Sequence, residues 1–383
     1  MNKEELGIYI HIPFCKKKCY YCDFISYCDK NELIDKYIEC LKKEIINFAQ
    51  KYKDVYDITT IYIGGGTPSS INEKYIKNII DTINNNIVNI KKIKEITIEV
   101  NPGTITKEKI EQYKMARINR ISIGLQSTNN KLLEEIGRIH DFDEFLGTYN
   151  MARKVGFKNI NVDLMLGLPN QTIKDLSNSV DKIIQLNPEH ISIYSLILEE
   201  NTVLFNLIEQ GKLILPSDEV ERNMYWYIKN KLELSGYKHY EISNFAKEGY
   251  ESKHNWNCWE QKQYVGFGVA AHSYLKDKRF SNIENLEQYI NNIENDNLEK
   301  NYILHENQNI YDKKKEYMLL GLRKIDGVSI QKFKNKFDDN PIYLFRKELK
   351  KLIEEDLLEI DGDDIRLTNK GLDLANVVWE EFV

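Results

Sequence analysis

The chain has 383 residues, 42% of them apolar, a formal charge of −6 and a pI near 5.8. That length predicts a barrel-sized domain with an appendage, and the acidic balance argues against nucleic acid or an anionic membrane surface as a partner. No run of 18 apolar residues occurs, and Met1 is followed by Asn2-Lys3-Glu4-Glu5. Neither a spanning helix nor a signal peptide is therefore expected, and the predicted compartment is the reducing cytoplasm.

Through the first 200 residues, short β-branched runs at 7–12, 59–64, 95–100, 120–125, 159–164 and 190–195 alternate with charged segments of helical period. The helical segments lie near 30–52, 71–87, 106–116, 141–156 and 171–186. The alternation predicts a parallel α/β sheet or barrel. Such folds place their chemistry at the carboxyl ends of the strands, so the residues just past each run carry the functional expectations.

After the first run, Cys15, Cys19 and Cys22 stand in the spacing C-x3-C-x2-C. Three thiolates on a tight loop can hold a metal or an iron–sulfur cluster. A cluster held only by protein takes four Cys, so three leave one iron open, as catalytic metal sites do. Zinc ribbons need a second Cys pair, which the chain lacks, and six cysteines in this length are sparse for a disulfide scaffold.

The second run ends in Gly64-Gly65-Gly66-Thr67-Pro68, where glycines are expected to bring backbone amides close to a ligand. Glu99 closes the third run and suits a ligand ammonium, a ribose hydroxyl or a salt bridge. Gln126, after the fourth, offers a donor and an acceptor, and Arg138 is expected on the helix that follows. Asp163 lies inside an apolar run, where an unpaired carboxylate is costly; it should pair with a ligand hydroxyl or a cation.

Ile10-His11-Ile12-Pro13-Phe14-Cys15, the GGGTP stretch at 64–68, Gly124-Leu125-Gln126-Ser127, and Asp163 with Gly167-Leu168-Pro169 resemble one subfamily of the radical SAM superfamily. It contains oxygen-independent coproporphyrinogen III dehydrogenase and the haem chaperone HemW, and the resemblance runs from about residue 7 to 378. It implies a partial (β/α)6 radical SAM barrel of the α/β class. It implies a [4Fe–4S] cluster on Cys15, Cys19 and Cys22, whose open iron takes the amino and carboxylate groups of S-adenosylmethionine (SAM). Tyr9 would flank the SAM site, and Gly65, Gly66, Thr67, Glu99, Gln126, Arg138 and Asp163 would contact the nucleotide.

Residues 200–280 are rich in aromatics, with Tyr225, Trp226, Tyr227, Tyr237, Tyr240 and Phe245 ahead of His254, Trp259 and His272. A groove with two His could hold a porphyrin, one His as axial ligand; the alternative is a layer covering the barrel's open edge. The resemblance implies an H-N-x-x-Y-W element here, matched by His254, Asn255 and Trp259, with Cys258 in place of the Tyr. His254 and Trp259 are the candidate haem residues.

Residues 283–312 read as solvated helix and linker. From 313 onward, helical segments precede Asp361-Gly362, a hairpin turn signal, which predicts an α+β winged-helix-like domain whose acidic flanks oppose DNA. The expected domains are 1–215 for the barrel, 216–312 for the aromatic-rich extension and 313–383 for the C-terminal domain.

Two functions follow from the resemblance. The first is a haem chaperone passing haem to acceptor proteins such as membrane respiratory enzymes. The alternative is the dehydrogenase, which makes protoporphyrinogen IX by 5′-deoxyadenosyl radical chemistry. The dehydrogenase carries a fourth Cys where this chain has Phe24, and an extension before the cluster strand, whereas this chain reaches Cys15 at once. Both features favour the chaperone. A cluster-dependent homodimer is also implied.

Overall fold

The computed structural model describes residues 3–383. Its centre is a run of parallel strands, β1 (Glu4–Ile12), β2 (Tyr56–Gly65), β3 (Glu95–Val100), β4 (Arg120–Gln126), β5 (Ile160–Leu166) and β6 (His190–Ser195), adjacent in that order. All six expected strands are present. The helices Ile34–Tyr52, Glu73–Asn86, Lys107–Met115, Phe142–Val155 and Ile173–Leu186 make the crossovers that parallel neighbours require. Their apolar positions recur at helical spacing, as in Ile76, Ile79, Ile80 and Ile83, and are buried.

The strands alternate with period two. One face is aliphatic: Ile8, Ile10 and Ile12, Ile61 and Ile63, Ile121 and Ile123 are all fully buried. The other face is polar: Thr60, Thr97, Arg120, Ser122, Asn161, His190 and Ser192 are each at most 3% exposed. A parallel sheet ordinarily buries apolar residues on both faces. Here the second face lines the lumen of a partial barrel, where polar groups find each other.

The aromatic-rich segment extends the same sheet on both flanks. β7 (Lys238–Glu241) and β8 (Asn244–Ala246) add antiparallel strands beyond β6. β9 (Gln263–Phe267) pairs parallel with β1, and β10 (His272–Leu275), β11 (Lys278–Asn282) and β12 (Tyr302–Asn307) continue outward antiparallel. The result is a twelve-stranded sheet ending in β12 at one edge and β7 at the other. The expectation of solvated structure over 283–312 is corrected. Helix Leu286–Glu294 buries Leu286, Tyr289, Ile290 and Ile293 in the main core, and β12 forms the sheet edge. The six residues of β12 are all exposed, so no alternation marks the strand, and the buried helix face is diluted by Asn and Glu.

The C-terminal α+β domain has its own core around Tyr317, Met318, Phe333, Phe345 and Leu352. Helices Ile310–Gly321, Ile330–Phe337 and Arg346–Glu354 pack beside a three-stranded wing of β13 (Val328–Ser329), β14 (Leu358–Asp361) and β15 (Asp364–Leu367). The Arg323 guanidinium joins this domain to the rest, lying 4.5 Å from the ring centres of both Trp259 and Trp379. Beside it Lys324 pairs with Glu260. Among the described residues no helix is long and apolar enough to cross a membrane.

Candidate functional site

The loop after β1 folds back on itself. The Cys15 amide donates to the Tyr27 carbonyl at 3.0 Å and the Tyr27 amide to the Pro13 carbonyl at 2.7 Å. Further along, the Tyr20 amide donates to the Ile136 carbonyl at 3.0 Å, and the Tyr20 carbonyl accepts from the Leu204 amide at 2.8 Å. Cys15, Cys19 and Cys22 are free thiols and line one cavity of about 440 Å³ at the carboxyl end of the barrel. Cys28 is also free and does not line it. Among the described residues no three Cys, His, Asp or Glu side chains converge for a single metal ion; the three cysteines share the lining of the cavity. Burial raises the Cys15 thiol and pushes Cys22 up to about 11, so both carry protons that a metal must displace.

The glycine stretch serves the protein itself. A side chain at Gly65, where φ is +113°, would put its Cβ 2.8 Å from the His11 ring, and at Gly66 one would stand 3.0 Å from the Cys15 sulfur. The amides expected to face a ligand are engaged: Gly66 donates to the Ile12 carbonyl and Thr67 to the Phe14 carbonyl, both at 2.9 Å. The Thr67 hydroxyl meets the Cys15 sulfur at 3.4 Å. The stretch therefore clamps the cysteine loop to β2 while still lining the cavity.

Glu99, Gln126, Arg138 and Asp163 also line the cavity. Glu99 accepts from the Tyr62 hydroxyl at 2.8 Å. Burial, with the Asp163 carboxylate adding to it and the Tyr62 bond opposing it, lifts Glu99 to about 7. Gln126 has φ +72° and follows a bulge in the β4–β5 register, the kind of backbone device that re-aims a side chain. Arg138 stands in a loop after helix Asn130–Glu135, a correction to its expected helical placement. It donates to the Cys19 sulfur at 3.3 Å, the Asn101 amide oxygen at 2.9 Å and the Gly124 carbonyl at 2.5 Å. Asp163 pairs with neutral groups: the Asn161 amide at 2.7 Å and the Ser122 hydroxyl at 3.1 Å. Burial raises its pKa and those bonds hold it down.

Tyr9 lies behind the cavity wall, its hydroxyl 3.1 Å from His11 Nδ1 and its ring stacked on Tyr62 at 6.3 Å. His254 and Trp259 stand apart from the cavity. His254 is 7% exposed, with Nδ1 2.9 Å from the Thr60 hydroxyl and its ring 5.3 Å from Tyr62. The helix carrying it, Lys253–Trp259, presents its first two amides to the Glu95 carboxylate, both at 3.0 Å, at the amino end of the barrel. A second cavity of about 480 Å³ opens there, lined by Thr60, Lys94, Tyr240, Lys253 and Trp256; neither His254 nor Trp259 lines it.

Models of known families match the radical SAM superfamily over residues 9–183 and the HemN C-terminal domain over residues 312–374. The haem chaperone HemW of Bacillus subtilis is 40% identical over 377 residues, covering 98% of each chain. The haem chaperone HemW of Lactococcus lactis is 38% identical over 383 residues, covering 100% of this chain and 98% of its own. The chain belongs to the HemW family of the radical SAM superfamily. The solved structure of coproporphyrinogen III oxidase HemN from Escherichia coli superposes with a TM-score of 0.86, covering 99% of this chain and 90% of that one at 24% identity; the fold is shared.

Membership of the radical SAM superfamily implies a [4Fe–4S] cluster and SAM, and the HemW-family cavity fits both. Its donor set is three free thiols with a guanidinium at one of them, facing two carboxylates and a carboxamide.

Sequence reasoning passed over Tyr62, Ser122 and Tyr194, which line the same cavity. It also missed a buried chain of hydrogen bonds along the lumen. From Asp163 this runs through Asn161 to His190 Nδ1 at 2.6 Å, from His190 Nε2 to the Tyr240 hydroxyl at 2.8 Å, and on to the Ser252 amide at 3.2 Å. The signal was present: polar residues recur at alternate positions, as in Glu95-Thr97-Glu99 on β3 and His190-Ser192-Tyr194 on β6.

Proposed function

We propose that the chain is a haem chaperone that holds a [4Fe–4S] cluster, SAM and haem and passes haem to acceptor proteins such as membrane respiratory enzymes. The observation that supports it most is the near-complete alignment with relatives named haem chaperones. In this reading Cys15, Cys19 and Cys22 hold the cluster, and Arg138 screens the charge their thiolates develop. Glu99 and Asp163 accept from the ammonium and hydroxyl groups of SAM, and Gln126 donates and accepts beside them. Gly65, Gly66 and Thr67 shape the wall, and Tyr9 braces it from behind through Tyr62 and Glu99. When bound, cluster and SAM together supply one-electron radical chemistry.

The division at 1–215, 216–312 and 313–383 enters as a division of labour. The first part holds the cofactors, the second carries haem with His254 and Trp259 as the sequence-derived candidates, and the third caps the assembly. Free cysteines and a thiolate-bound cluster suit a reducing cytoplasm, and a homodimer belongs to the same reading. Phe24, exposed at the cavity mouth, occupies the fourth-Cys position of the dehydrogenase and disfavours that alternative.

The test is anaerobic reconstitution, followed on one sample by haem titration and by assay with SAM, reductant and coproporphyrinogen III. Haem binding without decarboxylation is expected. Formation of protoporphyrinogen IX would reverse the ranking.

A further inference from the structure

The cavity at the amino end of the barrel is built around Glu95, the first residue of β3. Its carboxylate accepts from the Lys253 and His254 amides, both at 3.0 Å, and the Asn255 amide donates to the Ser252 hydroxyl at 3.4 Å. The first amides of helix Lys253–Trp259 are therefore engaged, and a further anion there must be met by side chains. Glu95 is the register partner of Thr60 on β2, and Thr60 both lines the cavity and meets His254 Nδ1 at 2.9 Å. The Lys94 amide donates to the Thr59 carbonyl at 3.2 Å. Lys94 and Lys253 thus reach one cavity wall from two separate elements, joined through Glu95.

Most of the charges lining this cavity are matched. Lys262 pairs with Glu5 at 2.5 Å and Lys238 with Asp326 at 3.5 Å. Lys94, Lys253 and Glu251 take part in no ion pair among the described residues. The unmatched charge is therefore positive by two groups to one, on a chain whose formal charge is −6. A cleft with a surplus of one sign draws in ligands of the other. Both lysines are exposed, whereas the wall beside them is aromatic: Tyr240 is buried and Trp256 half-buried, their rings 6.1 Å apart. A volume of about 480 Å³ with an aromatic wall and a few charged groups is what a small-molecule site requires.

We propose that this cavity receives the carboxylate edge of a tetrapyrrole, with Lys94 and Lys253 holding its two propionates and Trp256 lying against the ring. The inference rests on the chaperone reading and goes beyond it by assigning the groups that recognise the carboxylates, which restricts the cargo to porphyrins that keep them. The iron stays with the candidate of that reading: His254 belongs to the same helix and stands behind Thr60 in the cavity wall. Ammonium groups on flexible stems suit a cargo that must leave again, because they can follow its carboxylates outward.

The test uses the full chain, anaerobic and with its cluster reconstituted, titrated in the Soret region with haemin and with haemin dimethyl ester, in which both carboxylates are masked. The wild type should bind haemin at least about tenfold more tightly than the ester, the scale of one charge-assisted hydrogen bond. Lys94→Ala and Lys253→Ala should each weaken haemin binding, keep the wild-type Soret position and leave the ester's affinity unchanged. The gap between the two ligands should close in the double variant and reopen when both positions carry Arg. Both side chains are exposed, so these variants are expected to fold, and melting temperatures equal to the wild type's check it. Equal wild-type affinity for haemin and ester, an undiminished gap in the double alanine variant, or a Soret shift in the lysine variants would overturn the proposal. A wild type with no haem band for either ligand would remove the chaperone reading itself, a result distinct from failure of the lysine assignment.

Discussion

Arg138 Nη1 donates to the Cys19 sulfur at 3.3 Å while Nη2 is held between the Asn101 amide oxygen and the Gly124 carbonyl. A fixed guanidinium at one thiol of three makes the trio asymmetric before anything binds. It also ties the cysteine loop to the carboxyl ends of β3 and β4.

Arg138→Ala should therefore lower the midpoint potential of the reconstituted cluster, because a hydrogen bond to sulfur and a positive charge are both lost. SAM binding should weaken about tenfold, the scale of one charge-assisted hydrogen bond. Arg138→Lys should restore charge without the planar fork and recover only part of either effect. A spectroscopic redox titration checks the first expectation and calorimetry the second; an unchanged potential in Arg138→Ala would contradict the assignment.

The Glu99 carboxyl, lifted to about 7 mainly by burial, makes ligand binding pH-dependent in a definite sense. Below about 7 it carries a proton and cannot balance a ligand ammonium, so SAM affinity should rise between pH 6 and pH 8. The folded protein without ligand behaves oppositely. A carboxyl raised in the folded state contributes stability that is full below its unfolded value near 4.5 and is lost as pH climbs to about 7. Glu99→Gln should flatten both profiles and raise the melting temperature more at pH 8 than at pH 5. Melting curves with and without SAM at the two pH values would show it.

Asn161 donates to Ser122 and Asp163, both at 2.7 Å, and its oxygen accepts from His190 at 2.6 Å and Ser192 at 3.2 Å. Asn161→Ala would leave four buried partners short of a hydrogen bond, a loss on the order of 3 kcal/mol in denaturant unfolding. Since Asp163 would turn without its anchor, SAM binding should fall as well. Full stability in this variant would mean that the lumen network is not a structural element.

Arg323 between Trp259 and Trp379 predicts coupled unfolding of the two cores. Arg323→Ala removes both cation–π contacts, about 1–2 kcal/mol together, and should split one calorimetric transition into two. A single transition at the wild-type temperature would show that other contacts carry the coupling.

The barrel was legible from sequence because its strands and crossovers each carry an unbroken period, from Ile8–Ile10–Ile12 on β1 to Ile76–Ile79–Ile80–Ile83 on the helix after β2. Most of the proposed cofactor residues were legible because they lie at or near the ends of those strands, Arg138 in the loop after helix Asn130–Glu135 being the exception, and the structure gathers all of them except Tyr9 around one cavity. What was hidden depended on partners distant in the chain. Gly65 and Gly66 line the cavity, but that they also make room for His11 and Cys15 could not be read from the sequence. The placement of His254 depends on Thr60 and Glu95, far away in sequence. β12 could not be seen because an edge strand exposed throughout has no preferred face.

Iron and acid-labile sulfide, counted after anaerobic reconstitution of the wild type, Cys15→Ala, Cys19→Ala, Cys22→Ala and Cys28→Ala, bear most directly on a cluster held by three thiols with one iron open. About four irons per chain are expected in the wild type and in Cys28→Ala, and a collapse of iron content in each of the other three. Loss of the cluster in Cys28→Ala, or its retention in any member of the trio, would contradict it.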